Sequence, residues 1–135
     1  MSGSDWTALI GSTEDITDAY TTPPDLNACE LHYTQIDERG TSVTLMLETT
    51  ELPDKPKSAR IGREYNTVEI YLRFTGVKGL KIDGWEAGVR DAEIIFTPQG
   101  SKGVRVSVEA ARSRFSFEAS ESSLIRTRSY LSGKE

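Results

Sequence analysis

The sequence contains very little of the chemistry on which most catalytic and metal sites depend. Its 135 residues include one cysteine, Cys29, and one histidine, His32. A lone cysteine cannot form an internal disulfide, and a lone histidine excludes a histidine cluster around a metal. If both lie on one strand, a separation of three residues places them on opposite faces, so they cannot form a nucleophilic pair. We therefore predict a protein that is not an enzyme and holds no metal or cofactor.

Long apolar runs and a basic N-terminal start are also missing. The first residues, MSGSDWTALIGSTEDITDAY, resemble neither a signal peptide nor a membrane anchor, which predicts a cytoplasmic protein with no membrane partner. A chain of 135 residues is typical of one domain, here residues 1–135, that can bury about two-thirds of its unfolded surface.

Basic residues are almost absent from the first part of the chain. Residues 1–54 contain eleven Asp and Glu but only one basic residue, Arg39, whereas residues 55–135 contain ten acidic and fifteen basic residues. The net charge of −5 is therefore unevenly distributed. An acidic front half argues against nucleic acid as a partner and is compatible with a basic partner protein. The same acids could instead serve solubility alone.

The strongest pattern in the chain is the alternation from Asn66 to Trp85. Apolar side chains recur at every second position from Val68 to Phe74, which predicts a strand with one buried face. Alternation resumes at Leu80 and Ile82 after two glycines, which predicts two neighbouring strands joined by a glycine-rich turn. We expect the strand from Val68 to lie at the centre of a sheet, and Trp85 to be packed at its end.

Shorter alternating segments recur along the rest of the chain. Cys29–Ile36 reads as a strand with Leu31 and Tyr33 inward and His32 outward, and the last segment, 124–131, is ambiguous between strand and helix, with strand favoured. Two short helices precede the strands and should cover one edge or end of a sheet. The predicted fold class is mostly β: an antiparallel β-sandwich or open barrel of about eight strands with short N-terminal helices.

The order of these features resembles the immunity protein 50 family of bacterial polymorphic-toxin systems. The resemblance runs from Trp6 to about Tyr130 and is densest in the segment Phe74-x-Gly76-Val77…Leu80-x-Ile82-x-Gly84-Trp85. It implies a cytoplasmic, mostly β protein that binds and neutralises a cognate toxin domain and catalyses no reaction. The resemblance supplies no binding motif, so candidate interface residues come from the chain itself.

Two sets of residues are candidates for such an interface. The first is an acidic surface that would dock on a basic toxin and mimic the charge of phosphate. It consists of Asp37, Glu38, Glu48, Glu51 and Asp54. Its two loops flank opposite ends of one predicted strand, so they need not form a single patch. The second choice is the outward face of the central strand, Glu69, Tyr71 and Arg73, beside Thr44, Met46 and Glu48, because Tyr, Arg and Met are enriched at interfaces.

Two other functions remain open from the residues. A small-ligand or carbohydrate-binding β-sandwich would need a pocket lined by Tyr65, Tyr71 and Trp85. An enzyme that uses carboxylates alone would need two of them facing each other across a cleft.

Overall fold

The chain folds into eight strands preceded by three short helices in the computed structural model, which describes residues 3–37, 39, 41–55, 65–84, 93–101 and 103–131. The helices are a 3-10 helix at Gly3–Ala8, the α-helix α1 at Glu14–Thr17 and a second 3-10 helix at Leu26–Ala28. The strands are β1 Glu30–Asp37, β2 Ser42–Thr49, β3 Thr67–Thr75, β4 Lys78–Asp83, β5 Glu93–Gln99, β6 Gly103–Glu109, β7 Arg114–Ala119 and β8 Glu121–Tyr130.

The strands form two antiparallel four-stranded sheets. The first sheet has the order β1-β2-β3-β8, and the second has the order β4-β7-β6-β5. Their inward faces share one apolar core, in which Phe74 of the first sheet makes edge-to-face contacts with Phe96 and Phe117 of the second, at 5.8 and 5.4 Å between ring centroids. The predicted antiparallel β-sandwich of about eight strands is therefore confirmed.

The strand that begins the strongest sequence pattern lies at the centre of the first sheet, as expected. Val68 and Phe74 are fully buried. The prediction that β3 and β4 are neighbours is wrong, because β4 is an edge strand of the second sheet and Ile82 is 47% exposed. Gly76, in the left-handed region at φ 64°, lies between them, where an added Cβ would collide with Ser120. Trp85 lies outside the described residues.

An irregularity in β1 corrects the predicted orientation of Tyr33. Leu31 pairs with Leu47, but Tyr33 pairs with Met46, so His32 is an extra residue in the ladder. A bulge of this kind reverses the faces of all residues beyond it. Tyr33 therefore points outward, with 43% of its surface exposed, rather than into the core.

The N-terminal segment covers one edge of the first sheet, in agreement with the sequence. Gly11 forms an isolated parallel bridge with Ser123 on the edge strand β8. Trp6 is buried, and its indole N–H donates to the carbonyl of Pro24 at 2.9 Å. A covered edge is protected against unwanted strand pairing. β8 itself confirms that the ambiguous last segment is a strand.

Candidate protein-binding surface

The two central strands of the first sheet are buried on both of their faces. All five residues from Val43 to Leu47 are buried, and so are the six from Thr67 to Leu72. Inward side chains such as Leu45 and Ile70 belong to the core between the sheets. The outward side chains form a second buried layer outside that core, with exposed fractions of 4–8%: Thr44, Met46, Glu69 and Tyr71.

Tyr71 is at the centre of this outer layer. It pairs with Met46 on one side and with Arg126 on the other. The Arg126 guanidinium carbon lies 4.4 Å from the centroid of the Tyr71 ring, and Tyr33 meets the same ring edge-to-face at 6.5 Å. Hydrogen bonding to Tyr71 raises the pKa of Arg126. The aromatic ring is therefore held between a cation and a second aromatic side chain.

Two carboxylates face each other beside Tyr71. Glu48 on β2 pairs directly with Glu69 on β3, an arrangement that is destabilising unless each charge is compensated. Glu69 accepts a hydrogen bond from the Tyr71 hydroxyl at 2.9 Å and lies 3.6 Å from a guanidinium nitrogen of Arg128.

The charge of Glu48 is compensated by side chains from the two edge strands of the sheet, β1 and β8. It accepts a hydrogen bond from Tyr130 at 2.6 Å and lies 3.0 Å from Nδ1 of His32. The bond to Glu48 raises the pKa of the Tyr130 hydroxyl to about 12. Both carboxylates are therefore held in place by polar side chains, and Glu69 by a guanidinium as well.

These contacts define one continuous group on the outward side of the first sheet, which we call the outer-face cluster. Its members are His32, Tyr33, Met46, Glu48, Glu69, Tyr71, Arg126, Arg128 and Tyr130. Its carboxylates are largely covered, whereas Tyr33, Arg126 and Arg128 extend to solvent. The outward face of the second sheet differs, because its ion pairs lie at the surface: Arg105 with Glu118, 3.5 Å apart, is about half exposed.

The structure brings together one member of the predicted acidic surface, Glu48, with the second predicted set. Glu48, Glu69 and Tyr71 are in the outer-face cluster, and Arg73 is exposed on the same face, at the next outward position of β3. Asp37 lies at the β1–β2 hairpin, where its carboxylate accepts the N–H of Arg39 at 3.0 Å. Glu38 lies outside the described residues.

The remaining two acids hold the N-terminal segment in place. Asp54 accepts hydrogen bonds from the N–H and hydroxyl of Thr21, and these bonds lower the pKa of its carboxyl group. Glu51 accepts the N–H of Asp25 at 3.3 Å. Both follow the end of β2 opposite to the hairpin. About eight residues of strand, roughly 25 Å, therefore separate them from Asp37.

Five members of the outer-face cluster were missed as site residues by sequence reasoning: His32, Tyr33, Arg126, Arg128 and Tyr130. The last three follow the two-residue period of a strand face, a signal that was present in the sequence of the ambiguous last segment. Tyr33 could not be found in this way, because the bulge at His32 breaks the period.

Neither described hollow of the surface offers an aromatic pocket. One, of about 440 Å³, lies beside Gly11 and Ser122; the other, of about 310 Å³, lies between Ile36 and Leu80. Tyr65, a predicted pocket residue, packs half-buried against the core. Within residues that the structure describes, no group of three or more His, Cys, Asp or Glu could hold a metal ion.

No helix in the described ranges is both long and apolar enough to span a bilayer. Cys29 joins the 3-10 helix Leu26–Ala28 to β1 and is buried. Burial raises the pKa of its thiol to about 12. A thiol with so high a pKa is un-ionised at neutral pH and is a poor nucleophile.

Comparison with known proteins identifies one family. The sequence model described as Immunity protein 50 matches residues 12–130, which include all eight strands and the outer-face cluster. The match begins at Ser12 rather than at Trp6, where the resemblance was expected to start. No curated protein and no solved structure matches the chain significantly. Because the matched region covers most of the 135 residues, the chain belongs to the immunity protein 50 family.

Proposed function

We propose that this chain binds and neutralises a cognate toxin domain and that the outer-face cluster is the centre of the interface. The observation that carries the neutralising role is membership of the immunity protein 50 family over residues 12–130. Neutralisation by an immunity protein requires a stable complex with the toxin, so the chain needs a surface suited to tight protein binding.

The composition of the outer-face cluster favours this face as that surface. Tyrosine and arginine are enriched among the residues that dominate binding energy, and methionine is enriched at interfaces. The cluster contains three tyrosines, two arginines and Met46, on adjacent strands of one sheet.

Its side chains are also held in place before any partner arrives. Tyr71 is fixed by Glu69, Tyr33 and Arg126, and Tyr130 is fixed by Glu48. A side chain that is already ordered loses less conformational entropy on binding, so more of the contact energy contributes to affinity.

The acidic loops remain a second proposed contact. Asp37 would meet a basic toxin at one end of the first sheet, and Glu51 and Asp54 at the other; Glu38, the next residue in the sequence after Asp37, belongs to the same proposal. Since Glu51 and Asp54 already accept hydrogen bonds from the N-terminal segment, we assign them a smaller share of the interface. Charge reversal of these loop acids should slow association, most visibly at low salt, if they steer the toxin.

The direct test is co-expression with the toxin encoded in the neighbouring gene, in the cytoplasm where we propose that the protein acts. Cells should survive with the wild-type chain and die without it. Continued lethality with a folded, well-expressed chain would overturn the proposed function.

Variants then locate the interface. Tyr33→Ala, at an exposed member of the outer-face cluster, should weaken protection, whereas Ile95→Ala, at a similarly exposed position of the second sheet, should not. Equal protection by both variants would remove Tyr33 from the interface. The ligand-binding alternative gains no support from the described hollows, which contain no aromatic side chain.

A further inference from the structure

Several arginines of the two sheets make ion pairs with glutamates, and Arg126 differs from them. Arg105, Arg114 and Arg128 each lie within 4 Å of a glutamate. Within the described part of the chain, no carboxylate lies at salt-bridge distance from Arg126, although its guanidinium is exposed over the Tyr71 ring. The centre of the outer-face cluster therefore presents a guanidinium that is positioned but not neutralised by direct contact.

The geometry around Arg126 is suited to binding a carboxylate. A guanidinium has five N–H donors, so one that lies over the Tyr71 ring and shares a hydrogen bond with that side chain retains donors for a carboxylate. Tyr71 is itself fixed by its bond to Glu69, so the guanidinium lies over a ring that is held in place before binding. Arg73, exposed at the next outward position of β3, adds a second positive charge beside it.

The surrounding acids argue that the carboxylate belongs to a protein and not to a polyanion. Glu48 and Glu69 lie on the same face as Arg126, and the register places Glu30 and Glu121 at its two ends. These four glutamates outnumber the three arginines of the face, Arg73, Arg126 and Arg128, so the face as a whole carries no excess positive charge that would attract the phosphates of a nucleic acid. A single Asp or Glu side chain on a folded partner can reach Arg126 alone.

We infer that Arg126 is the receptor for an acidic side chain of the bound toxin, at the centre of the interface. This assignment rests on the proposed function, and it specifies the chemistry of the partner surface: an exposed Asp or Glu. At Arg126 the contacting residue of the toxin would therefore be acidic, whereas the acidic loops would contact basic residues of the toxin.

The test measures binding of a catalytically inactive toxin domain to purified wild-type chain and to three variants. Arg126→Glu should weaken the complex on the order of 100-fold, as expected for loss of one partner of a central charge pair. Arg126→Lys should give a smaller loss of affinity, because the ammonium retains the positive charge. Some loss is still expected, since an ammonium cannot stack or bind a carboxylate in the bidentate geometry. The matched control Arg105→Glu, on the outer face of the second sheet, should stay within about threefold of wild type.

A charge swap completes the experiment. Changing the contacted toxin carboxylate to arginine should restore binding to Arg126→Glu, and the melting curves of the two Arg126 variants should stay close to wild type because Arg126 is exposed. If Arg126→Glu binds the toxin as tightly as Arg105→Glu does, the assignment of Arg126 is overturned and the proposed function is not affected. A wild-type chain that does not bind the toxin would overturn the proposed function with it. Undiminished toxin binding together with Arg126-dependent binding of a DNA duplex would assign the face to nucleic acid instead.

Discussion

Replacing Tyr71 by phenylalanine tests the buried centre of the outer-face cluster with the loss of one oxygen atom. The Tyr71 hydroxyl donates to Oε1 of Glu69 at 2.9 Å, and the two residues are only 6% and 7% exposed. Phenylalanine retains the ring and its packing. The Glu69 carboxylate would lose this donor and keep Arg128, which lies at the longer distance of 3.6 Å.

The size of the effect follows from the charge of the acceptor. A hydrogen bond to an ionised group contributes about 1.5–3 kcal/mol, whereas one between neutral groups contributes about 0.5–1.5 kcal/mol. The chain contains a neutral comparison, because the Tyr20 hydroxyl donates to the backbone carbonyl of Glu51 at 2.7 Å. We therefore expect Tyr71→Phe to lower the free energy of unfolding by about 2 kcal/mol and Tyr20→Phe by about 1 kcal/mol.

Urea denaturation at neutral pH measures both variants, with an unchanged m-value as the check that the unfolded state is the same. A double-mutant cycle of Tyr71→Phe with Glu69→Gln isolates the pair and should give a coupling free energy of about 1 kcal/mol or more. A loss for Tyr71→Phe no larger than that for Tyr20→Phe, or a coupling near zero, would refute the argument that the ionised acceptor strengthens this bond.

Three further predictions concern the core, the loop anchor and the thiol. Phe74→Ala should lower the free energy of unfolding by about 3–5 kcal/mol, because it removes the ring that contacts two phenylalanines of the opposite sheet, and a loss below about 1 kcal/mol in urea would contradict this. The lowered pKa of Asp54 means that its ionised form stabilises the fold above an ordinary value of about 4 and that this contribution disappears as pH falls through the lowered pKa. The melting temperature of Asp54→Asn should therefore be below that of wild type at pH 7 and converge with it as the pH falls through the lowered pKa of Asp54; equal melting temperatures at pH 7 would count against the anchor. Cys29, with a pKa raised to about 12 by burial, should react with a thiol-specific disulfide reagent at pH 8 far more slowly in the native protein than in urea, and similar rates would show that the site opens readily.

The fold could be predicted to the level of sandwich, strand number and buried faces. Alternation from Val68 to Phe74 and from Val104 to Val108 reports which side of a strand is apolar, and all of these inward residues are buried. Alternation does not report which sheet a strand joins. The expected pairing of β3 with β4 therefore failed, because the short turn at Gly76 carries the chain from one sheet to the other.

The candidate site was predictable only in part, because its contacts join strands that are far apart in sequence. Glu69 and Tyr71 could be placed on an outward face by period alone. Arg126 could not be placed beside Tyr71, because that contact depends on the pairing of β3 with β8 and on the local register shift between them. Tyr33 was assigned to the wrong face, because a single extra residue in β1 reverses a period of two.

The pairing of β3 with β8 also determines when during synthesis the proposed interface can exist. Partners in this ladder, from Thr75 with Glu121 to Thr67 with Tyr130, are 46 to 63 residues apart. Such distant pairing makes folding slower than local pairing does, and here it requires the C-terminal strand to have left the ribosome. A nascent or truncated chain that ends before β8 lacks Arg126, Arg128 and Tyr130 altogether. Protection of a cell would then depend on full-length protein that is already folded when the toxin arrives.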